Sequence, residues 1–275
     1  MLFKKDRRPK IGSFQKNGWL SRNRQESGGA GRQEPYFGYE QVSEDEKTRR
    51  VVRHFDSVAR QYDFMNSLLS FGIHHLWKRE AVRMMGLKPG AKVIDVCGGT
   101  GDLAVLASRY AGPSGRVTIF DLNRTMMDAG REKVFTAACA PVDYVQGNAE
   151  IMPFPDNSFD AAMVGYGIRN VTRMERGFEE MYRVLRPGGR IMCLEFSKPV
   201  WPVFRWLYDI YSFHIMPFLG GLIAGSRGAY THLPESIRTF PMPDALSAMM
   251  ERIGFKHVSY HRQTNGISVV HIGEK

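Results

Sequence analysis

AKVIDVCGGTGD, residues 91–102, decides the fold. Val93, Ile94 and Val96 give the first half β character, and Gly98, Gly99 and Gly101 punctuate it before Asp102 opens an apolar helical stretch. A strand that runs through a glycine turn into a helix is the ligand-binding corner of a doubly wound α/β sheet. Outward from it, residues 116–122 (RVTIFDL), 142–148 (VDYVQGN), 159–167 (FDAAMVGYG) and 189–196 (GRIMCLEF) read as four more strands. Residues 102–110, 124–138 and 173–185 carry apolar residues at helical spacing between them. This alternation predicts a mainly parallel sheet covered on both faces, with ligands at the carboxyl ends of its strands. Near the C-terminus, 255–263 and 266–273 flank Thr264, Asn265 and Gly266, and Asn-Gly is a strong hairpin signal, so the last strand is expected to run antiparallel. The result is a Rossmann-like, seven-stranded mixed sheet. Residues 46–86 predict two helical segments around an aromatic- and Met-rich loop at 63–72, a lid on the sheet edge.

The chain has 275 residues, 43% hydrophobic and 24% charged, which fits one globular α/β domain over 43–275 and excludes collagen-like and coiled-coil rods. The longest uncharged stretch, 210–226, contains Pro217, Gly220 and Gly221 and falls short of the roughly 20 apolar residues of a spanning helix. Cys97, Cys139 and Cys193 are too few for a disulfide framework or a metal cage, so no metal is expected; they read as buried thiols of a reducing cytoplasm. The net charge is +10. Half of the excess lies in residues 1–42, which hold nine Lys or Arg against four acids and no sustained apolar period; these are expected to form a disordered basic arm. Basic clustering alone reports only charge, and no nucleic-acid partner is assigned.

Gly99-x-Gly101-x-x-Ala104 satisfies the loose dinucleotide fingerprint. Asp102, however, puts a carboxylate at the helix N-terminus where a pyrophosphate would dock, and Asp95 faces the same hollow, so two anions would repel there. A cationic ligand without phosphate suits it better. S-adenosyl-L-methionine has an ammonium and a sulfonium that need acceptors, a carboxylate that needs the N–H groups of Gly98, Gly99, Thr100 and Gly101, and a ribose diol that needs a carboxylate. Asp121, followed by Leu122, ends the second strand in the position expected for the ribose; Asn148 and Ala149 end the third, beside the adenine; Gly165 ends the fourth. A helix cap is the plain alternative for Asp102.

From about Phe55 onward the chain resembles the UbiE/COQ5 family of quinone-biosynthesis C-methyltransferases. The resemblance is carried by FDSVARQYD at 55–63, SFGIH at 70–74, CGGTGD at 97–102, NAE at 148–150, GIRNVT at 167–172, YRVLRPGG at 182–189, LEFSKP at 194–199 and PESIR at 234–238. It implies a class I fold and transfer of a methyl group from S-adenosyl-L-methionine to the ring of a polyprenylated quinol. The departures are Cys97 for the usual Ala, Gly165 for a frequent Ser, and GSRG at 225–228 for a more acidic stretch. The last favours demethylmenaquinol over the methoxy-benzoquinol of ubiquinone synthesis; a non-catalytic assembly factor is the other alternative.

Carbon methylation requires the reduced ring and a group that takes or stabilises its hydroxyl proton. Arg169 is expected to hold developing phenolate charge and Asn170 to orient a ring oxygen. Arginine is too weak an acid to serve as a free base, so Tyr62, Asp63, His214 or a water is expected to carry the proton. The plain alternatives are a structural salt bridge for Arg169 and packing roles for His74 and His214. Residues 199–224 are dense in Trp, Phe, Tyr and Leu and suit a prenyl groove or a face resting on the inner side of the cell membrane; a core helix or a homodimer surface are the alternatives.

Overall fold

The computed structural model describes residues 34–224 and 227–275. The arm expected over 1–42 lies outside these residues as far as 33, as do Gly225 and Ser226. Its last nine residues are described: β1 (Tyr36–Phe37) and β2 (Glu40–Gln41) pair antiparallel, and Val42 is buried.

Seven strands form one sheet: β3 (Lys92–Val96), β4 (Arg116–Asp121), β5 (Val142–Gln146), β6 (Phe159–Gly165), β7 (Leu185–Phe196), β8 (Lys256–Gln263) and β9 (Ser268–Glu274), in the spatial order β5-β4-β3-β6-β7-β9-β8. The first five pair in parallel, and β9 runs antiparallel to both β7 and β8. The antiparallel end expected from Asn265-Gly266 is thus present, but β9 inserts between β7 and β8. Asn265 itself takes the left-handed conformation, φ 55°, that the turn requires. Burial on both faces explains why the central strands read as continuous apolar runs. Their residues alternate: Val93, Met163 and Met192 join one core, Ile94, Val164 and Cys193 the other.

Helices α4 (Asp102–Ala111), α5 (Arg124–Ala137), α6 (Met174–Val184) and α10 (Pro243–Ile253) cover the sheet. The order reverses at β3, leaving a hollow beyond its carboxyl end, where open α/β sheets take ligands. Over this hollow stand α1 (Glu44–Val58), α2 (Tyr62–Leu69) and α3 (His74–Met84). The loop expected at 63–72 is largely α2, because Met65 and Leu69 recur at helical spacing and are buried. α7 (Pro202–Ile210), a π-helical turn (Tyr211–Ile215), α8 (Met216–Ala224) and α9 (Arg227–Thr239) complete the wall. Of the three cysteines only Cys193 is buried; Cys139 is exposed and Cys97 half-buried.

Candidate active site

Strand β3 hands the chain to the site through left-handed backbone: Cys97 has φ 55°, Gly99 51° and Gly101 80°. A Cβ on Gly101 would come within 2.6 Å of Val134 on α5, so loop and helix pack at a distance only glycine permits. At the end of the neighbouring β6, Tyr166 also has φ 57°. Non-glycine residues in this region cost about 1–2 kcal/mol each and persist where the surroundings hold them.

Nine of the ten residues that the sequence assigns to a cofactor line an open hollow of about 1050 Å³: Asp95, Gly98, Gly99, Thr100, Asp121, Leu122, Asn148, Ala149 and Gly165. Gly101 instead packs behind the loop. Gly165 leaves space that Leu103 fills, since a Cβ there would meet Leu103 at 2.4 Å.

Asp95 is 1% exposed, and neither carboxylate oxygen has a hydrogen-bond partner among the described residues. Burial pushes its carboxyl up to about 8 against the pull of the Ala104 amide, and Asp121 and Asp102 add repulsion. A buried, unpartnered acid is costly and fits a ligand that brings a cation. Such a group is largely protonated at pH 7. A docked ammonium favours the ionised form, so binding of S-adenosyl-L-methionine at pH 7 should release protons. Titration calorimetry in buffers of different ionisation enthalpy reads this directly, and Asp95→Asn should abolish it. A binding heat that ignores the buffer would show that Asp95 does not meet the cation.

Asp121 accepts the Gly99 N–H on Oδ2 at 2.8 Å and the Asn123 N–H on Oδ1 at 2.7 Å. Burial raises it to about 6, against these two bonds. Asn123 caps α5, taking the Met126 N–H at 2.9 Å, and donates to Asp56 of α1 at 3.0 Å. Sequence reading missed Asn123, although an Asn just before a helix is a cap signal.

Asp102 requires a correction. Lys78 Nζ stands 2.6 Å from its Oδ2 and Lys133 Nζ binds its Oδ1. Burial alone would raise this carboxyl, but the two ammonium groups outweigh burial and hold it well below the carboxylate range. Lys133 also meets Asp63 Oδ2 at 2.6 Å, and Thr100 Oγ1 donates to Asp63 Oδ1 at 2.7 Å. Asp63, Asp102, Lys78 and Lys133 form a charge-neutral quartet. The case against a pyrophosphate is therefore left to Asp121, with Asp95 adding repulsion only where it is ionised.

A second, larger cavity of about 1760 Å³ lies against the first, and Phe55, Tyr62, Lys78, Tyr166 and Asn170 line both. Its remaining wall is mainly apolar and comes largely from α1, α2, α3, α7 and α9. Asn170 stands at the junction with a buried, unpartnered Nδ2. Arg169 lines the second cavity, ion-paired at 2.9 Å to buried Glu195; its Nη1 also donates to the Tyr166 carbonyl, and its Nε to Ser236 Oγ at 3.4 Å. The two N–H donors on Nη2 take no part in these bonds. Tyr62 is at the junction. Asp63 and His214 line neither cavity, and both Asp63 oxygens are engaged, so neither is placed to take a ring proton. An acidic, nucleotide-sized hollow thus opens onto an apolar chamber through a polar junction, an arrangement for passing a small group between two ligands.

The sequence model of the ubiE/COQ5 methyltransferase family matches residues 41–275. The chain is 48% identical over 241 residues, 87% of its own length and 96% of the relative's, to the ubiquinone/menaquinone biosynthesis C-methyltransferase UbiE of Cronobacter sakazakii. Among solved structures it is similar to a SAM-dependent methyltransferase from Aquifex aeolicus, with TM-score 0.55, 18% identity and coverage of 77% of this chain and 96% of that one. A possible histamine N-methyltransferase from Thermotoga maritima gives TM-score 0.57 and 19% identity, covering 82% and 99%. At such identities the two structures speak to fold alone.

Proposed function

This chain belongs to the ubiE/COQ5 methyltransferase family, and we propose that it methylates a ring carbon of a polyprenylated quinol, converting demethylmenaquinol to menaquinol. Its cofactor is S-adenosyl-L-methionine, which supplies an electrophilic methyl group. The observation that carries the reading is the meeting of the two cavities at Asn170, Tyr166 and Tyr62. Asp95 and Asp121 would hold the ammonium and the ribose diol, and the loop N–H groups the carboxylate. The apolar chamber would keep the quinol ring and the first prenyl units dry.

The ring carbon forms the new bond with its own π electrons, the methyl–sulfur pair stays on sulfur, and the ring carbon then loses its hydrogen as a proton. Ionisation of a ring hydroxyl speeds this attack. The Asn170 amide orients that oxygen at the junction, and the Arg169 guanidinium, with donors left on Nη2, sits in the same wall to favour the anion. Tyr62 lines both cavities and can pass a proton through its hydroxyl. Purified protein given the cofactor and both reduced rings tests the reading. Mass spectrometry should show demethylmenaquinol gaining one methyl on carbon faster than the methoxy-benzoquinol does, and no gain on either would end it.

The substrate's tail also suggests where the protein works. No helix of the described residues is long and apolar enough to cross a membrane. α7 turns Phe204, Leu207 and Tyr208 toward the chamber, while Trp201, Val203 and Trp206 stand 70%, 74% and 62% exposed. Phe218 and Leu222 on α8 and Phe71 beyond α2 are exposed as well. We propose that this face rests in a lipid bilayer, so that the quinol enters the chamber without crossing water. Each buried Trp or Phe contributes about 1.5–3 kcal/mol. Trp206→Ser combined with Phe218→Ser should therefore cut cosedimentation with phosphatidylethanolamine–phosphatidylglycerol vesicles at least tenfold, leaving turnover of a short-tailed quinol intact. Equal cosedimentation of variant and parent would refute the bilayer assignment.

A further inference from the structure

The chamber holds a polar group that the proposed chemistry does not use. His232, on α9, lines the apolar chamber. It is 8% exposed, and its Nδ1 has no hydrogen-bond partner among the described residues. That nitrogen is enclosed by protein, so a ligand in the chamber would meet the ring through Nε2, which is not among the enclosed unpartnered atoms.

The imidazole is held from two sides. Phe37 of the N-terminal hairpin stacks on it with centroids 3.9 Å apart and planes 15° from parallel. His54 of α1, another chamber residue, meets it edge-on at 5.2 Å. Arg50 caps the outer ring, its guanidinium carbon 5.7 Å from the Phe37 centroid, and is itself fixed by Glu40 at 2.6 Å and Glu46 at 2.8 Å. The hairpin is therefore tied to α1 and immobilises a chamber side chain. Phe37 lies before residue 41, where the match to the family model begins, so this support comes from a segment outside the matched region.

Resting on the quinol reading above, we propose that His232 is a specificity-determining residue that hydrogen-bonds a ring oxygen of the quinol, with Phe37 as the positioning residue that keeps its imidazole in place. Burial, with His54 and Arg169 nearby, pushes the His232 imidazole down to about 3, so the contact is that of a neutral ring, a directional hydrogen bond without charge. A site built to bond a hydroxyl rejects the ligand that lacks it, because its own polar atom is then left unpaired.

The test compares the short-tailed quinol with its two mono-O-methyl ethers in the parent, His232→Phe, His232→Gln and Phe37→Ala, after each variant's affinity for S-adenosyl-L-methionine has been matched to the parent's. His232→Phe preserves the stack and removes both ring nitrogens. It should raise KM for the quinol about tenfold with little change in kcat, the effect of one hydrogen bond, and bring one ether to parity with the quinol. His232→Gln, which keeps a hydrogen-bonding amide, should retain part of the discrimination, and Phe37→Ala should lose part of it while Phe37→Tyr restores it. A His232→Phe protein with parental KM and parental discrimination overturns the proposal; if that variant does not fold, parental discrimination in Phe37→Ala together with its loss in His232→Gln overturns the positioning scheme. A parent that methylates no quinol at all would instead refute the underlying function.

Discussion

Alanine at Asp121 should weaken binding of S-adenosyl-L-methionine by roughly 30- to 700-fold, the equivalent of about 2–4 kcal/mol at 1.4 kcal/mol per decade. Two effects add. The carboxylate offers charge-assisted bonds to a ribose diol, and the same carboxylate pins the glycine loop through the Gly99 N–H and opens α5 through the Asn123 N–H. Its loss removes ligand contacts and leaves two amides at the bottom of the hollow without their acceptor. Asp121→Asn separates the two, since its amide oxygen can keep one of the loop bonds and its uncharged head cannot replace the charged acceptor. The expected order of affinity by calorimetry is parent, Asp121→Asn, then Asp121→Ala. Because burial raises Asp121 to about 6, affinity should also fall in the parent as the pH drops below that value and the acceptor takes up a proton. Affinity in the alanine variant within threefold of the parent would remove Asp121 from the site.

Arg169→Ala should cost the fold about 3–5 kcal/mol, because it leaves Glu195, 2% exposed, as an unpaired charge in the core. For a chain of this size that corresponds to a drop in Tm of roughly 6–20 °C. The loss should depend on pH with a definite sign. Burial already raises the Glu195 carboxyl above its ordinary value, and Arg169 pulls it back; without the guanidinium it rises further, so the folded variant binds a proton that the unfolded chain has released. Such a group stabilises below its unfolded pKa, and the contribution is lost as pH climbs through the folded one. The deficit against the parent is therefore expected to be smaller at pH 5.5 than at pH 8, and Arg169→Met with Glu195→Leu should recover much of it. Arg169→Lys, which retains a cation beside Glu195, is the variant for catalysis: kcat should fall while the melting curve stays near the parent's. Simple truncation confounds the two roles, which the tight Arg169–Glu195 contact makes plain.

The glycine loop, the strand ends and the acids on them were legible because their information is local. The positive φ at 99 and 101 favours glycine, a parallel strand buried on two faces demands an unbroken apolar run, and Asp95 and Asp121 stand near the ends of two such runs. The chamber was legible only as an excess of aromatic residues at 199–224. Its polar points were not. His232 sits in a helix whose pattern gives no reason to prefer it over His214, yet one lines the chamber and the other does not. Asp63 looked like a proton carrier by its place beside Tyr62, but the turn of α2 aims it at Thr100 and Lys133.

By itself the sequence determined the α/β class, the seven strands of the main sheet, the antiparallel end and the hollow at β3, since each rests on a local pattern of strand, turn and helix residues. Only the tertiary structure decided the charge of that hollow and the end wall of the chamber. Lys78 and Lys133 reach Asp102 from 24 and 31 residues away, and Phe37 reaches His232 across most of the chain. Electrostatics and stacking fall off with distance in space, and separation along the chain says nothing of that distance until the helices have packed.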